Sequence, residues 1–353
     1  MRPRSPAPPS LSALAARVDE RLATLIESEV VRWQAVDPGL DEPVLALGRL
    51  LAAGGKRLRP AFCHWAFVGA GGDADDPRIV DAGAAFEMLH AFALVHDDVM
   101  DGSPTRRGER TAHLTFADLH RRAAWRGEAR RFGEGVAILI GDLAHVYADR
   151  LLGRATDEVW AVWDELRLEL NFGQYMDMTG TARADRDPSL AGRIARYKSG
   201  KYTVERPLHV GAGLAGRLAD LGGALSAYGD PVGEAFQLRD DLLGAFGDPE
   251  RTGKPVGEDL REGKPTPLLA IAVGQASGPE LAVLDRVGDP ALADGEVTAV
   301  QQVLVDTGAV AAVERSIDEL TRRAVEAIRT AGISAEARAE LAALAHYVAR
   351  RDT

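Results

Sequence analysis

Apolar residues recur along this chain at intervals of three and four, the rhythm of a helix face, and no stretch alternates in the two-residue rhythm of a strand. Leu14, Val18, Leu22, Leu25 and Ile26 predict a first helix from Leu11 to about Trp33, in an outer or partner-facing position. A second element ends at Leu51-Ala52-Ala53, where Gly54-Gly55 stops it and lets backbone approach a ligand. A third runs from Pro60 to about Val68. Asp76-Pro77 supplies an N-cap and a first helical position, and Val80, Ala84, Met88, Ala91 and Val95 form one packing stripe on the helix that follows.

The segment from His120 to Gly135 is rich in Arg and Gly and reads as a loop before a helix from Val136 to Leu152. Trp163, Leu166, Leu170 and Met178 carry a helix from Trp160 to Met178, with Tyr175 and the methionines expected in the core. Asp187-Pro188 and Asp230-Pro231 each read as further helix starts. Beyond about residue 275, amphipathic segments around Val303 and Leu304 and from Ala335 to Arg350 read as scaffold. The fold expected is all-α: one domain over residues 11–353, a helical bundle around a central cavity, behind a disordered tail at residues 1–10.

Composition narrows the partners. A formal net charge of −11 over 353 residues argues against nucleic acid as a partner, which calls for a basic face. The single cysteine, Cys63, excludes an internal disulfide and fits a reducing, cytoplasmic setting. No uninterrupted apolar run reaches the ~18 residues that a membrane span needs.

The candidate chemistry begins at Asp97-Asp98 and Asp101, which end a long apolar helix. Asp97 and Asp101 stand four residues apart, so both carboxylates share one face, separated by about 6 Å along the axis. Like charges so close favour a cation between them, and magnesium, which takes carboxylate, water and phosphate oxygens, suits the pair. Arg106 and Arg107 follow with planar donors for phosphate. His90 is two turns before Asp97, on the same face. A second pair, Asp240-Asp241, again lies in an apolar helical pattern and precedes Thr252-Gly253-Lys254 and Asp259 to Lys264. Two acidic helix faces, each with basic residues nearby, predict a cavity for several metal ions and a diphosphate. Gly211 to Gly216 spells GxGxxG, yet no strand precedes it, which rejects a dinucleotide site. HExxH, GxSxG, CxxC and internal repeats are all absent from the sequence.

Taken together, Gly54-Gly55-Lys56-Arg57-Leu58-Arg59-Pro60, the first Asp-rich motif with Arg106-Arg107-Gly108, Gly173-Gln174, Lys198, Phe236-Gln237 with Asp240-Asp241, and Thr252 through Lys264 resemble the trans-isoprenyl diphosphate synthases, the polyprenyl synthetase family. The resemblance implies an isoprenoid-synthase type of helical fold and head-to-tail condensation of isopentenyl diphosphate with an allylic diphosphate. It implies three magnesium ions, with manganese as a substitute, on Asp97, Asp101 and Asp240, with Asp98 and Asp241 beside them. Arg106, Lys198, Lys254 and Gln237 would serve the ionising diphosphate; Lys56, Arg59, His90, Arg107, Gln174, Ser199 and Lys264 would bind substrate. Phe92 would close the end of the chain-length channel and Ala93 leave room beside it, so the product expected is C20 geranylgeranyl diphosphate, made by a homodimer. Alternatives are a C15 or C25 product, a class I terpene cyclase, or a non-catalytic regulatory subunit. One departure stands out: Gly244 replaces the last aspartate of the second motif, with Asp248 a candidate replacement.

Overall fold

The computed structural model describes residues 6–247, 257–289 and 291–351. Among them the backbone is helical almost throughout. The strands are two residues each, Thr105–Arg106 and Glu109–Arg110, paired antiparallel. The chain is all-α, as its periodicity predicts. Its helices form two compact units, one of residues 9–64 and 73–155, the other of residues 6–8, 65–72 and 156–351.

In the first unit, α1 (Pro9–Gln34) lies against α2 (Glu42–Ala52) and α4 (Pro77–Asp101), and α4 and α5 (Ala112–Arg122) both lie against α6 (Ala129–Leu152). α3 (Leu58–Gly69) begins here. Helix α1 starts two residues earlier than expected, at Pro9, because proline is compatible with a helix's first turn. The Asp76 carboxylate caps α4 by accepting from the Arg78 amide at 2.9 Å, and Gly102, at φ 67°, ends it. The expected single stripe on α4 is instead burial on all sides from Ala82 to Leu89, where small residues let neighbours close in; a Cβ on Gly83 would meet Val18 at 3.1 Å. By length and composition α4 could cross a membrane, but 61% of its apolar window is buried inside the protein, which makes it a core helix.

The stretch from His120 to Gly135 is not a loop. It is the end of α5, a link over residues 123–128 and the start of α6. Gly133 marks the crossing of these helices, since a Cβ there would lie 2.8 Å from the Ala117 nitrogen. Buried Glu29 ties α1 to α6, accepting from Arg150 at 2.9 Å and from the Tyr147 hydroxyl at 3.1 Å.

The second unit contains α7 (Asp157–Ala182), then α8 (Pro188–Ile194), which continues as a π-helix (Ala195–Glu205) and as α9 (Arg206–Leu214). The π-helix fits because glycines remove side chains around it: Gly200 and Gly233 meet backbone to backbone, and a Cβ on Gly173 would lie 2.7 Å from the Lys198 Cα. Beneath it, Glu169 takes Arg206 at 2.7 Å and Lys201 at 2.8 Å. Burial pushes the Glu169 proton affinity up, but these partners overcome it and hold the carboxyl below its ordinary range.

Helix α10 (Leu218–Phe246) is followed by α11 (Glu258–Glu262), α12 (Pro267–Gln275), α13 (Gly278–Leu284), α14 (Asp294–Asp306), α15 (Ala309–Arg329) and α16 (Ala335–Arg350). Leu238, Leu242, Leu269, Val300, Leu304 and Ile317 share one core cluster. Helix α10 does not begin at Asp230-Pro231; it runs straight through Pro231. Tertiary contacts carry it across the proline: the buried Tyr228 hydroxyl donates to the Leu341 carbonyl at 2.7 Å, and Gly229 abuts Glu205. On α7, Trp163, Leu166 and Leu170 are buried as expected, but Tyr175 and Met178 are exposed, at 65% and 44%. Gly211 to Gly216 falls in α9 and the turn after it, away from any strand.

Candidate active site

The first unit carries the first acidic motif on the last turns of α4. Asp98 is buried at 3% exposure and accepts from Arg106 Nε at 2.8 Å; Arg106 Nη2 also reaches Asp97 at 3.2 Å. The two-residue hairpin delivers this arginine. Its turn, Arg107-Gly108, has φ values of 54° and 79°, both positive, as a type I′ turn requires. Asp97 and Asp101 remain one turn apart and partly exposed on the rim of α4.

Around His90, on the same helix, cations gather. Burial first, then Arg59, Arg107, Arg106 and Arg57, push its pKa well below the ordinary imidazole value, so the ring stays neutral and can donate a hydrogen bond. Arg107 donates to the Gly54 carbonyl, and its own pKa is lowered by burial and by Arg57, Arg59 and Arg106. Such a cluster is relieved by an anion. Arg57 itself is a scaffold residue, bonded to Glu87 at 2.6 Å and Asp19 at 2.7 Å, and it anchors the link over residues 54–57 that carries partly buried Lys56 and leads into α3, where Arg59 is also partly buried.

Phe92 meets two imidazoles, His96 with ring centres 4.7 Å apart and His145 on α6 at 5.0 Å. His96 reaches the Ile138 carbonyl of α6 at 3.0 Å, where Gly141 leaves room for its ring. Ala93 is partly exposed beside Phe92. Sequence reasoning missed His145, for which no local motif exists.

In the second unit, Lys198 Nζ lies 2.5 Å from Asp177 of α7, so the π-helix lysine is held against α7; Ser199 and Gln174 are partly buried nearby in sequence. Gln237 donates to Asp241 Oδ1 at 2.7 Å. Asp241 Oδ2 is buried with no hydrogen-bond partner among the described residues. Burial, then Asp259, Asp240 and Asp177, push the Asp241 pKa well above the ordinary carboxyl value. The Asp259 carboxylate fills the space a side chain at Gly244 would need, so the acid absent from position 244 is replaced in space by one from α11. Lys264 is held by Glu262 at 2.7 Å, close to Asp259. Arg351, beyond any motif, reaches Asp240 at 2.6 Å. Thr252, Gly253, Lys254 and Asp248 lie outside the described residues.

These carboxylates fit magnesium by the chemistry of their donors, hard oxygens with an orphaned buried atom on Asp241. Among the described residues no three acids or imidazoles converge into a ready metal cage. That is expected where substrate phosphate supplies part of the shell.

Residues 44–304 match the model of the polyprenyl synthetase family. The chain belongs to that family. It is 34% identical over 362 residues to a geranylgeranyl diphosphate synthase of Mycobacterium tuberculosis, covering 99% of this chain and 93% of that protein. It is 31% identical over 337 residues to a geranylfarnesyl diphosphate synthase of Aeropyrum pernix, covering 93% and 99%. The crystal structure of a Corynebacterium glutamicum geranylgeranyl pyrophosphate synthase, complexed with isoprenyl diphosphate and magnesium, superposes with a TM-score of 0.91 at 35% identity, covering 97% of this chain and 99% of that one. As a polyprenyl synthetase, the protein is a prenyltransferase with the all-α isoprenoid synthase fold, and relatives of different product length match it comparably.

Proposed function

We propose that this polyprenyl synthetase makes C20 geranylgeranyl diphosphate from isopentenyl diphosphate and a shorter allylic diphosphate. The observation that supports a condensing enzyme is that α4 offers an anion two different places: the Asp97 and Asp101 carboxylates, through a metal ion between them, and the arginines gathered from other segments around His90. Two stations suit two diphosphates, whereas a cyclase handles one.

Asp97, Asp101 and Asp240, with Asp241 and Asp259 beside the last, would hold magnesium, which supplies positive charge to the diphosphate as it leaves. Arg106, Lys198, Lys254 and Gln237 would serve the same developing charge, with Lys264 assigned to substrate by family. Lys56, Arg59, His90 and Arg107 orient isopentenyl diphosphate, with Gln174 and Ser199 assigned to substrate. The allylic C–O bond breaks with its electron pair going to diphosphate. The isopentenyl double bond then attacks the allylic carbon, and the adjacent proton passes to the departed diphosphate.

Product length is assigned to the Phe92 ring, braced by His96 and His145. Replacing Phe92 with Ala is expected to lengthen the main product beyond C20; an unchanged product would remove this assignment. We place the enzyme in the cytoplasm as a homodimer. Exposed Leu168, Phe172, Tyr175 and Met178, which form one stripe on α7, support a partner copy. The deciding experiment incubates the purified chain with magnesium, isopentenyl diphosphate and C5, C10 or C15 allylic diphosphate, and reads products by mass spectrometry. A dominant C20 diphosphate is expected. Hydrocarbon formed without isopentenyl uptake would reverse the reading to a cyclase, and no turnover would leave the regulatory subunit.

A further inference from the structure

Helix α16 ends at Arg350, and the residue after it packs onto α10. The Arg351 guanidinium lies 4.1 Å from the centre of the Phe236 ring and donates through Nη2 to the Phe236 carbonyl at 3.3 Å and to Asp240 Oδ1 at 2.6 Å. Phe236 and Asp240 stand one turn apart on α10, so ring, carbonyl and carboxylate form a socket matched to a planar cation. The neighbouring Arg239 is occupied elsewhere. It pairs with Glu314 through Nη1 and Nη2 at 2.9 Å and donates through Nε to the Ala349 carbonyl at 2.8 Å, which pins the chain two residues before Arg351.

Exposure divides the pair unequally. The Arg351 side chain is 3% exposed and that of Asp240 is 39% exposed. The cation is therefore fixed, unlike one in a surface ion pair, while the carboxylate keeps an open side.

Resting on the assignment of Asp240 to magnesium, we propose that Arg351 is a positioning residue: a fixed internal cation that aims Asp240 and makes divalent-ion loading there depend on diphosphate. A second cation arriving at the open side of Asp240 is repelled by the guanidinium a few bonds away. Diphosphate, carrying its own negative charge, cancels that repulsion. Loading of this carboxylate is thereby postponed until substrate is bound.

The test titrates manganese, read by electron paramagnetic resonance, into the full chain with and without inorganic diphosphate. Arg351→Gln is expected to tighten manganese binding without diphosphate by roughly fivefold and to shrink the gain that diphosphate gives. Arg351→Lys keeps the charge and is expected to restore wild-type behaviour. Arg351→Met, which keeps the packing on Phe236, replaces the Gln variant if the latter fails to fold by circular dichroism. Unchanged or weaker manganese binding in a folded neutral variant would overturn the proposal. With diphosphate present, Asp240→Asn separates it from its premise: loss of one bound ion in that variant upholds Asp240 as the ligand, whereas an unchanged ion count would overturn the metal assignment itself.

Discussion

His90 and Asp241 are opposites. Each is an enclosed titratable group ringed by charges that oppose its own charging: arginines around the imidazole, aspartates around the carboxyl. The first arrangement stores positive charge and is relieved by an anion; the second stores negative charge and is relieved by a cation. Opposite surrounding charges thus favour an anion in one region and a cation in the other, with no three-ligand cage among the described residues.

The comparison breaks most readily at Arg106. Arg106→Ala removes the arginine that the buried Asp98 accepts from and is expected to cost about 3–5 kcal/mol of stability, measured by denaturant unfolding; a loss below about 1 kcal/mol would mean the pair contributes little. Titration sharpens the contrast next. His64, buried beside Arg17, has its pKa pushed down to about 4, from an ordinary 6.5. The unfolded chain therefore binds its proton first, and stability is expected to fall by about 3 kcal/mol as pH drops from 6.5 to 4, with His90 adding in the same sense. Asp241 runs the other way: its raised pKa contributes stability that is present in acid and lost as pH rises through the folded value. Unfolding followed against pH should show His64→Gln removing the acid-side loss and Asp241→Asn flattening the opposite slope.

Asp97→Ala and Arg59→Ala test the two stations by kinetics. Asp97→Ala is expected to lower kcat by about 100-fold or more and to raise the magnesium requirement. Arg59→Ala should raise the KM for isopentenyl diphosphate and leave magnesium dependence unchanged; equal magnesium sensitivity in both would merge the stations. The smallest effect belongs to Gly244→Asp, which restores the family's third acid. Because Asp259 already fills that space, the substitution is expected to cost about 1–3 kcal/mol and to yield no gain in activity, checked by melting temperature and turnover together.

The first region was legible because its parts are local. Asp97, Asp101, Arg106 and His90 lie within one helix and the hairpin after it, where four-residue and seven-residue spacing translates directly into a shared face. The second was read only in part. Asp259 substitutes for Gly244 across a loop, and Arg351 comes from 111 positions beyond Asp240, with no spacing rule to link them. Proline misled at Pro231, where packing overrode a helix-start signal. The π-helix at Ala195–Glu205 escaped because its cause is three glycines on three separate helical segments, Gly173, Gly200 and Gly233, each unremarkable alone. Gly133 misled for the same reason, marking a helix crossing where composition suggested a loop.

The hairpin turn bears on heat tolerance as well as on chemistry. Arg107 holds φ 54°, a left-handed conformation that glycine adopts freely and that costs an L-residue with a Cβ about 1–2 kcal/mol. Backbone conformation alone would favour glycine or asparagine there. On the proposed role of Arg107 in binding diphosphate, position 107 is a place where a more heat-tolerant variant and a less competent one would be the same protein.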